Sequence, residues 1–306
     1  MSYDYEKTKL DIESLEKCHK KLTDKNLKKL ATVAIENITQ IAIALALPHF
    51  LMTRSVQEIK HFQYLLEGAV ATKNELRPKT VEGKKQLDEF IKAKFEENKK
   101  THSQEGRKLL NKLRKANPYI EDAIRIQALN SLVNVWTIFE STSKEIWIYL
   151  LNNFQNRFLN NIIASNSDEE VEGITGKFIS ISLLGRYGYN VNNKLGNILS
   201  SKYDFTSCSG IKKAFVDLDK TQKNSFNFLN DNNLLELENL RNLIVHNAGI
   251  VDETFLKKSA ITNKKLGVKI AVTTLEYQKY ETSALHSLIK LFEISENIRK
   301  TITGQD

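Results

Sequence analysis

The sequence predicts an all-α protein, and three observations carry that expectation. Backbone breakers are scarce: 12 Gly and 3 Pro in 306 residues amount to about 4% and 1%, against average usages of roughly 7% and 5%. Apolar residues recur at helical spacing through most of the chain, as in "NLKKLATVAIENITQIAIALA" (27–47). Only one run, "KKLGVKIAVTT" (264–274), has strand character, and it reads as one arm of a short β-hairpin.

The elements come in this order. The helix over 27–47 grows more apolar toward Pro48, where it is expected to end. "RSVQEIKHFQYLLEGAV" (54–70) forms a second helix with Gly68 near its end. "RPKT" (77–80) breaks the pattern, and 81–115 reads as a single charged helix. At "ANPYIED" (116–122), Pro118 pushes Asn117 out of the α region, while Glu121 and Asp122 suit a new helix start. The boundary between two regions is therefore expected at 117/118. A long helix then runs to about 155, with Leu132, Val135, Phe139, Ile146 and Leu150 as its apolar stripe, flanked by Trp136 and Trp147. "ASNSDEEVEGITG" (164–176) reads as a loop, and 177–230 as short helices separated by Gly185, Gly188, Gly196 and Gly210. "DNNLLELENLRNLIVHNAG" (231–249) is a helix capped by Asp231 or Asn232, with Gly249 placed for a left-handed C-terminal cap. A last helix covers about 275–302.

Charge is unevenly distributed. The chain carries +8 overall, and residues 1–117 hold 24 Lys+Arg against 16 Asp+Glu, whereas 118–306 hold 21 of each. The whole excess thus lies in the first 117 residues, which form either an attractive surface for a polyanion or the solvated face of surface helices, as in "RKLLNKLRK" (107–115). Cys18 and Cys208 are isolated, which suits a reducing compartment and excludes a cysteine metal cluster. The opening "MSYDYEKTKL" lacks the apolar segment of a secretion signal, and no window holds 18 uncharged apolar residues. A cytoplasmic location without membrane contact is expected. No phosphate-binding glycine loop, serine or cysteine nucleophile motif or paired-carboxylate pattern is present. His19, His49, His61, His102 and His286 have no neighbours at ligand spacing, so no metal or cofactor is expected.

One stretch concentrates chemistry. In "LRNLIVHNAGIVD" (240–252), Leu240, Leu243, Ile244 and Val245 share two helical turns with Arg241, Asn242, His246 and Asn247. Asn242 and His246, four apart, lie on one face, and the Arg241 side chain is long enough to reach the same space. His246 falls in the last turn, where the exposed carbonyls favour the imidazolium. A permanent cation, a titratable imidazole and an amide are the ingredients for cutting RNA without metal: a base takes the proton of the 2′-hydroxyl while cations stabilise the charged phosphorane. Spacing leaves a second reading open, in which Arg241 pairs with Glu238 and His246-Asn247 simply finish the helix. As polar residues on a helix whose apolar face lies elsewhere, Arg241 and His246 are both expected to be replaceable by alanine with little loss of stability.

"RNLIVHNAGIVD" resembles the signature helix of the HEPN superfamily (higher eukaryotes and prokaryotes nucleotide-binding), whose ribonuclease members carry Arg-(Asn/Asp/His)-x3-His. Arg241, Asn242 and His246 occupy all three positions. "NAGIVDETF" resembles the segment after the histidine in bacterial members, and "LVNVWTIFESTSKEIWIYLL" (132–151) is similar to their earlier long helix, with Phe139-Glu140 as an aromatic-Glu pair. The resemblance covers about 118–302; residues 164–230 are longer than in a minimal domain, and 1–117 resemble no family. It implies a HEPN-like helical bundle over 118–306, preceded by a basic α-helical extension over 1–117. It further implies a homodimer whose signature helices face each other, with Arg241 and His246 catalytic in a shared cleft.

Asn242, Asn247 and Glu140 are the supporting residues. Glu140 either orients the Arg or His, or forms an exposed pair with Lys144. The implied function is a metal-independent endoribonuclease, leaving 2′,3′-cyclic phosphate ends, of the toxin, abortive-infection or antiphage kind. Its implied partners are RNA, a second copy of the chain and a restraining or sensing protein. A non-catalytic HEPN-fold module binding RNA, nucleotide or a partner protein, and a scaffold whose Arg241 and His246 only finish a helix, are the alternatives.

Overall fold

The computed structural model describes residues 12–164, 170–171, 174–175, 178–179, 181–189, 191–259 and 265–304. The helices are α1 (Ile12–Lys21), α2 (Lys25–Thr72), α3 (Val81–Glu97), α4 (Lys99–Ala116), α5 (Pro118–Asn153), α6 (Gln155–Ala164), α7 (Ile181–Arg186), α8 (Leu195–Leu199), α9 (Cys208–Leu218), α10 (Asn232–Asn247), α11 (Glu253–Lys258) and α12 (Thr274–Thr303). The fold is all-α, as the breaker-poor composition predicts.

Packing divides the chain into two units, and not at 117/118. Of the described residues, 12–41 belong with those from Ala128 onward, and Ala42–Gln127 form the other unit. Helices α2 and α5 each contribute to both. The reason the first helices side with the C-terminal part lies in their buried residues. Leu15, Leu22, Leu27, Ala31, Ala34 and Ile38 are all buried, and α1 packs on α12. The α1–α2 turn is stitched there as well: Thr23 N donates to Glu296 Oε1 at 3.0 Å, its hydroxyl donates to the same oxygen, and Arg299 Nη2 donates to Thr23 Oγ1 at 2.6 Å.

The larger unit is organised around the second half of α5. Trp136, Phe139, Ile146, Trp147 and Leu150 are at most 1% exposed, so both tryptophans belong to the core rather than flanking it. Trp147 Nε1 donates to Ala214 O at 2.9 Å, and its ring packs on Tyr203 and Phe205. Gly196 allows α8 to touch α5, since a Cβ there would stand 2.5 Å from Ile148 O.

Four expectations about the elements change. Pro48 does not end a helix, because α2 runs through it. Proline deprives the carbonyl four residues earlier of its helical partner, and that carbonyl, of Ala44, accepts from the Gln127 side-chain amide instead. The charged helix over 81–115 is two helices, broken at Asn98. The loop expected over 164–176 holds strands β1 (Glu170–Val171) and β2 (Ile174–Thr175), joined antiparallel to β3 (Phe178–Ile179), while 165–169, 172–173 and 176 lie outside the described residues. The hairpin arm of 264–274, described from 265, forms one isolated bridge, Ile250 to Lys269.

In the second unit, α3 packs through Leu87 and Ile91 on Tyr64, and Tyr64 OH shares a 2.9 Å hydrogen bond with His102 Nε2. Gly106 brings α4 against the α2 backbone at Thr53, where a Cβ would stand 2.7 Å from Thr53 N. This unit carries 17 Lys+Arg against 11 Asp+Glu over 42–127, so most of the positive excess lies in it. By length and composition α2 could also cross a membrane: its most apolar 18-residue window has mean hydropathy 1.7 and is 22% buried.

A fragment starting at Pro118 removes α1 and leaves Glu296 and Arg299 without Thr23. It is expected to lose on the order of 3 kcal/mol or more relative to the intact chain, because hydrogen bonds to charged groups contribute about 1.5–3 kcal/mol each. The Thr23 and Arg299 bonds outweigh burial and hold the Glu296 carboxyl below its ordinary range. That stability is therefore present at neutral pH and fades as pH falls through the carboxylate range. Urea unfolding of both proteins at pH 7 and pH 4 measures this; an equal deficit at both pH values removes Glu296 from the explanation.

Candidate functional site

Helix α10 begins where Asp231 accepts from Asn233 N and Leu234 N, and it buries Leu234, Leu237, Leu240 and Leu243. That burial fixes its rotation and therefore where the polar residues of its last two turns go. Arg241 and His246, five positions apart, diverge by about 140° around the axis at 3.6 residues per turn. Asn242 and His246 share a face.

Arg241 turns toward α5. Its Nη2 stands 3.8 Å from Glu140 Oε2, both side chains being less than a fifth exposed, and its Nη1 donates to Asn242 Oδ1 at 3.0 Å. Glu238, the partner that spacing offered, is engaged elsewhere, accepting from Cys208 N at 2.8 Å at the start of α9. Glu140 likewise meets Arg241 rather than Lys144, which lies on an exposed strip of α5.

The pair is close in charge but not hydrogen-bonded, since 3.8 Å exceeds hydrogen-bond range. Arg241 Nε and Glu140 Oε2 are both buried without a hydrogen-bond partner. Burial pushes the Glu140 carboxyl above its ordinary range, and Arg241, with the nearby Trp136 indole, only partly offsets this. A third charge completes the group. Asp204 would be raised by burial, but bonds from Ser207 and Thr206, with the field of Arg241, hold its carboxyl below the ordinary range. Its oxygens accept from Thr206 N at 2.9 Å, Thr206 Oγ1 at 2.6 Å and Ser207 Oγ at 2.6 Å. Sequence reasoning missed Asp204. Its signal was "DFTS" (204–207) ahead of α9, a turn whose acid accepts from the next residues along the chain.

His246 is exposed and opens on a cavity of about 290 Å³ whose polar lining includes Asn239, Asn242, Asn247, Asp252 and Lys258. Arg241 does not line it, so within one chain the cation and the imidazole do not meet in a common space. Asn247 is at the edge of this cavity, but its amide is committed to the turn after α10, donating to Ile250 O at 2.6 Å. Asp252 and Lys258 were not singled out from the sequence; Asp252 announces itself as the cap of α11, accepting from Phe255 N at 2.7 Å.

The end of the helix is firmly tied. Ala248, not Gly249, takes the left-handed cap position (φ 51°), and Gly249 comes next at φ 72°. A Cβ on Gly249 would also crowd Ile270. Ile270 N donates to Gly249 O at 2.7 Å and Val251 N to Val268 O at 3.0 Å, so the strand-like run near 270 serves to pin the end of α10. Among the described residues no cluster of His, Cys, Asp and Glu could hold a metal ion. Cys18 and Cys208 are free and buried.

The ion pair corrects one expectation, because Arg241 is not a free surface residue. Arg241→Ala leaves the Glu140 carboxylate buried without its cation and is expected to cost about 1–3 kcal/mol at pH 7. A carboxyl already raised by burial binds its proton more readily when folded, so the penalty for its charge is absent at low pH and appears as pH rises through the carboxyl range. The Arg241→Ala deficit should therefore shrink toward pH 4, and Glu140→Gln in the same chain should restore most of it at pH 7. Denaturant midpoints decide; His246→Ala, on the exposed side, should leave them unchanged.

Compared with known proteins, the chain matches no family model, no curated protein and no solved structure.

Proposed function

We propose that the chain is a metal-independent endoribonuclease of HEPN type, acting as a homodimer whose two α10 helices face one another. The observation that carries the proposal is the divergence of Arg241 and His246. One chain holds its arginine against α5 with a buried, unsatisfied Nε and its histidine in the open beside a polar cavity. A half-site of this kind becomes complete when a second copy brings its own Arg241 and His246 to the same cleft. Val245, half exposed, and Ile250, 39% exposed, lie beside His246 at that end of α10 and supply apolar surface for the contact.

In the composite cleft one His246 takes the proton of a 2′-hydroxyl. The 2′ oxygen attacks the adjacent phosphorus, the bond to the 5′ oxygen breaks, and the other His246 protonates that leaving oxygen. The Arg241 guanidinium groups, oriented by Glu140 and Asn242, compensate the charge gathering on the non-bridging oxygens. The products are a 2′,3′-cyclic phosphate and a free 5′-hydroxyl. Such an activity suits a toxin or antiphage effector held in check by a partner protein, and the basic residues of 42–127 supply the field that draws RNA to the chain.

One observation favours the alternative of a non-catalytic module that binds RNA, nucleotide or a protein: in the single chain Arg241 is occupied with structure. The two readings separate in one assay. Labelled RNA incubated with the protein in EDTA should yield fragments ending in 2′,3′-cyclic phosphate, and His246→Ala should abolish them without loss of folding. Titrating wild type with His246→Ala should suppress cutting below simple dilution as mixed dimers form. Uncut RNA that is nonetheless retained by the protein establishes the binding module. Cutting that tracks only the wild-type amount, with exchange of chains verified, shows that each chain works alone.

A further inference from the structure

The outward face of α2 is unlike a solvated helix surface. Its inner side buries Leu45, Val56, Tyr64 and Ala69, while Phe50 and Phe62 are each 61% exposed and Ile59 is 71% exposed. Isolated exposed hydrophobics need no explanation, but a continuous band of them along one helix marks a contact surface. The band is also ordered. Phe50, Arg54, Glu58 and Phe62 succeed one another at intervals of four, and Leu47 and Leu51 begin a second row beside it. Rows at this interval are the ridges by which helices interdigitate, and when two such rows mesh the axes cross at about −50°.

We propose that this face is where a second copy of the chain docks, α2 against α2, across a two-fold axis near residue 56. From that point outward the main row is the same in either direction: a charge, then a phenylalanine. The charges are opposite in sign. A two-fold axis there sets Arg54 against the partner's Glu58 and Glu58 against the partner's Arg54, with Phe50 beside the partner's Phe62. In the single chain Arg54 and Glu58 have only each other, at 2.5 Å and about 60% exposed, an arrangement that contributes little in water. Self-docking turns that local pair into two reciprocal contacts and covers the phenylalanines.

A lipid surface is the other occupant that the hydropathy of α2 suggests, and the charge pattern argues against it. Over 42–72 the helix has two cations and two anions, and Arg54 and Glu58 stand in the middle of the apolar band. Helices that lie on membranes instead carry an excess of cations on a separate polar face, and a central ion pair would have to be desolvated in lipid. The surface lies wholly within 42–127 and does not depend on the nuclease reading.

Cysteine cross-linking of the full-length chain in lipid-free solution tests the proposal. Ser55 is beside the axis and would meet its own counterpart, whereas Lys85 on α3 is exposed elsewhere, and the native cysteines are buried. Ser55→Cys should form covalent dimers under mild oxidation far faster than Lys85→Cys. Adding Arg54→Glu or Glu58→Arg places like charges opposite one another and should slow the reaction about tenfold. Mixing those two chains restores complementary contacts and should recover the rate in the mixed dimer alone. Equal rates for Ser55→Cys and Lys85→Cys would overturn the proposal. So would charge variants whose mixture is no faster than either alone, or cross-linking that appears only with anionic vesicles, which would assign the band to a membrane.

Discussion

A helix buried on most of its sides must place every polar group it carries, and the second half of α5 is such a helix. Between Ser131 and Leu151 its exposed positions reduce to a strip through Asn134, Thr137, Ser141, Lys144 and Glu145. Trp136 and Trp147, wholly buried, anchor the remaining sides, and truncating a side chain of that size typically costs about 3–5 kcal/mol. Glu140 lies off the exposed strip. Its Oε2 is buried away from water, and the cation that faces it is Arg241 of α10. The ion pair thus orients Arg241 against α5, where the Trp136 indole adds to the compensation of the glutamate.

The pairing has a mechanistic consequence. An arginine whose Nε and whose carboxylate partner's Oε2 both lack hydrogen bonds retains capacity for a further acceptor. Burying polar groups in that condition is unfavourable, so the pair is held together by charge rather than by a hydrogen bond. Asp204 adds a second negative charge near Arg241, and the bonds that hold it ionised come from Thr206 and Ser207 at the start of α9. The local charge is thereby set by three elements, α5, α10 and the turn before α9, that meet only in the folded chain.

Ends and breaks of helices are settled in the same way. Gly249 and the segment near Ile270 together stop α10 just past His246, which leaves the imidazole at an exposed end beside a cavity. Pro48, by contrast, is absorbed, because Gln127 satisfies the carbonyl that proline leaves bare. The outcome is an uninterrupted α2 with an apolar outer face, a surface that two shorter helices would not have presented as one continuous band.

The sequence by itself determined the all-α class, the limits of α5, α10 and α12, a cap at Asp231 or Asn232, and the concentration of Arg241, Asn242, His246 and Asn247 at one helix end. These depend on local spacing and capping, which a chain carries whether folded or not. It could not determine whether Arg241 pairs with Glu238 or Glu140, because one is three residues away and the other about a hundred, and only packing brings the second within reach. It could not separate His246 from Arg241 in space, since a long side chain permits either direction until a neighbour claims it. It misplaced the division of the chain at Pro118, a local break in backbone preference. The described residues 12–41 belong with the C-terminal unit, where α1 and Thr23 meet α12, and burial of apolar surface between segments far apart in sequence is not encoded by local residues.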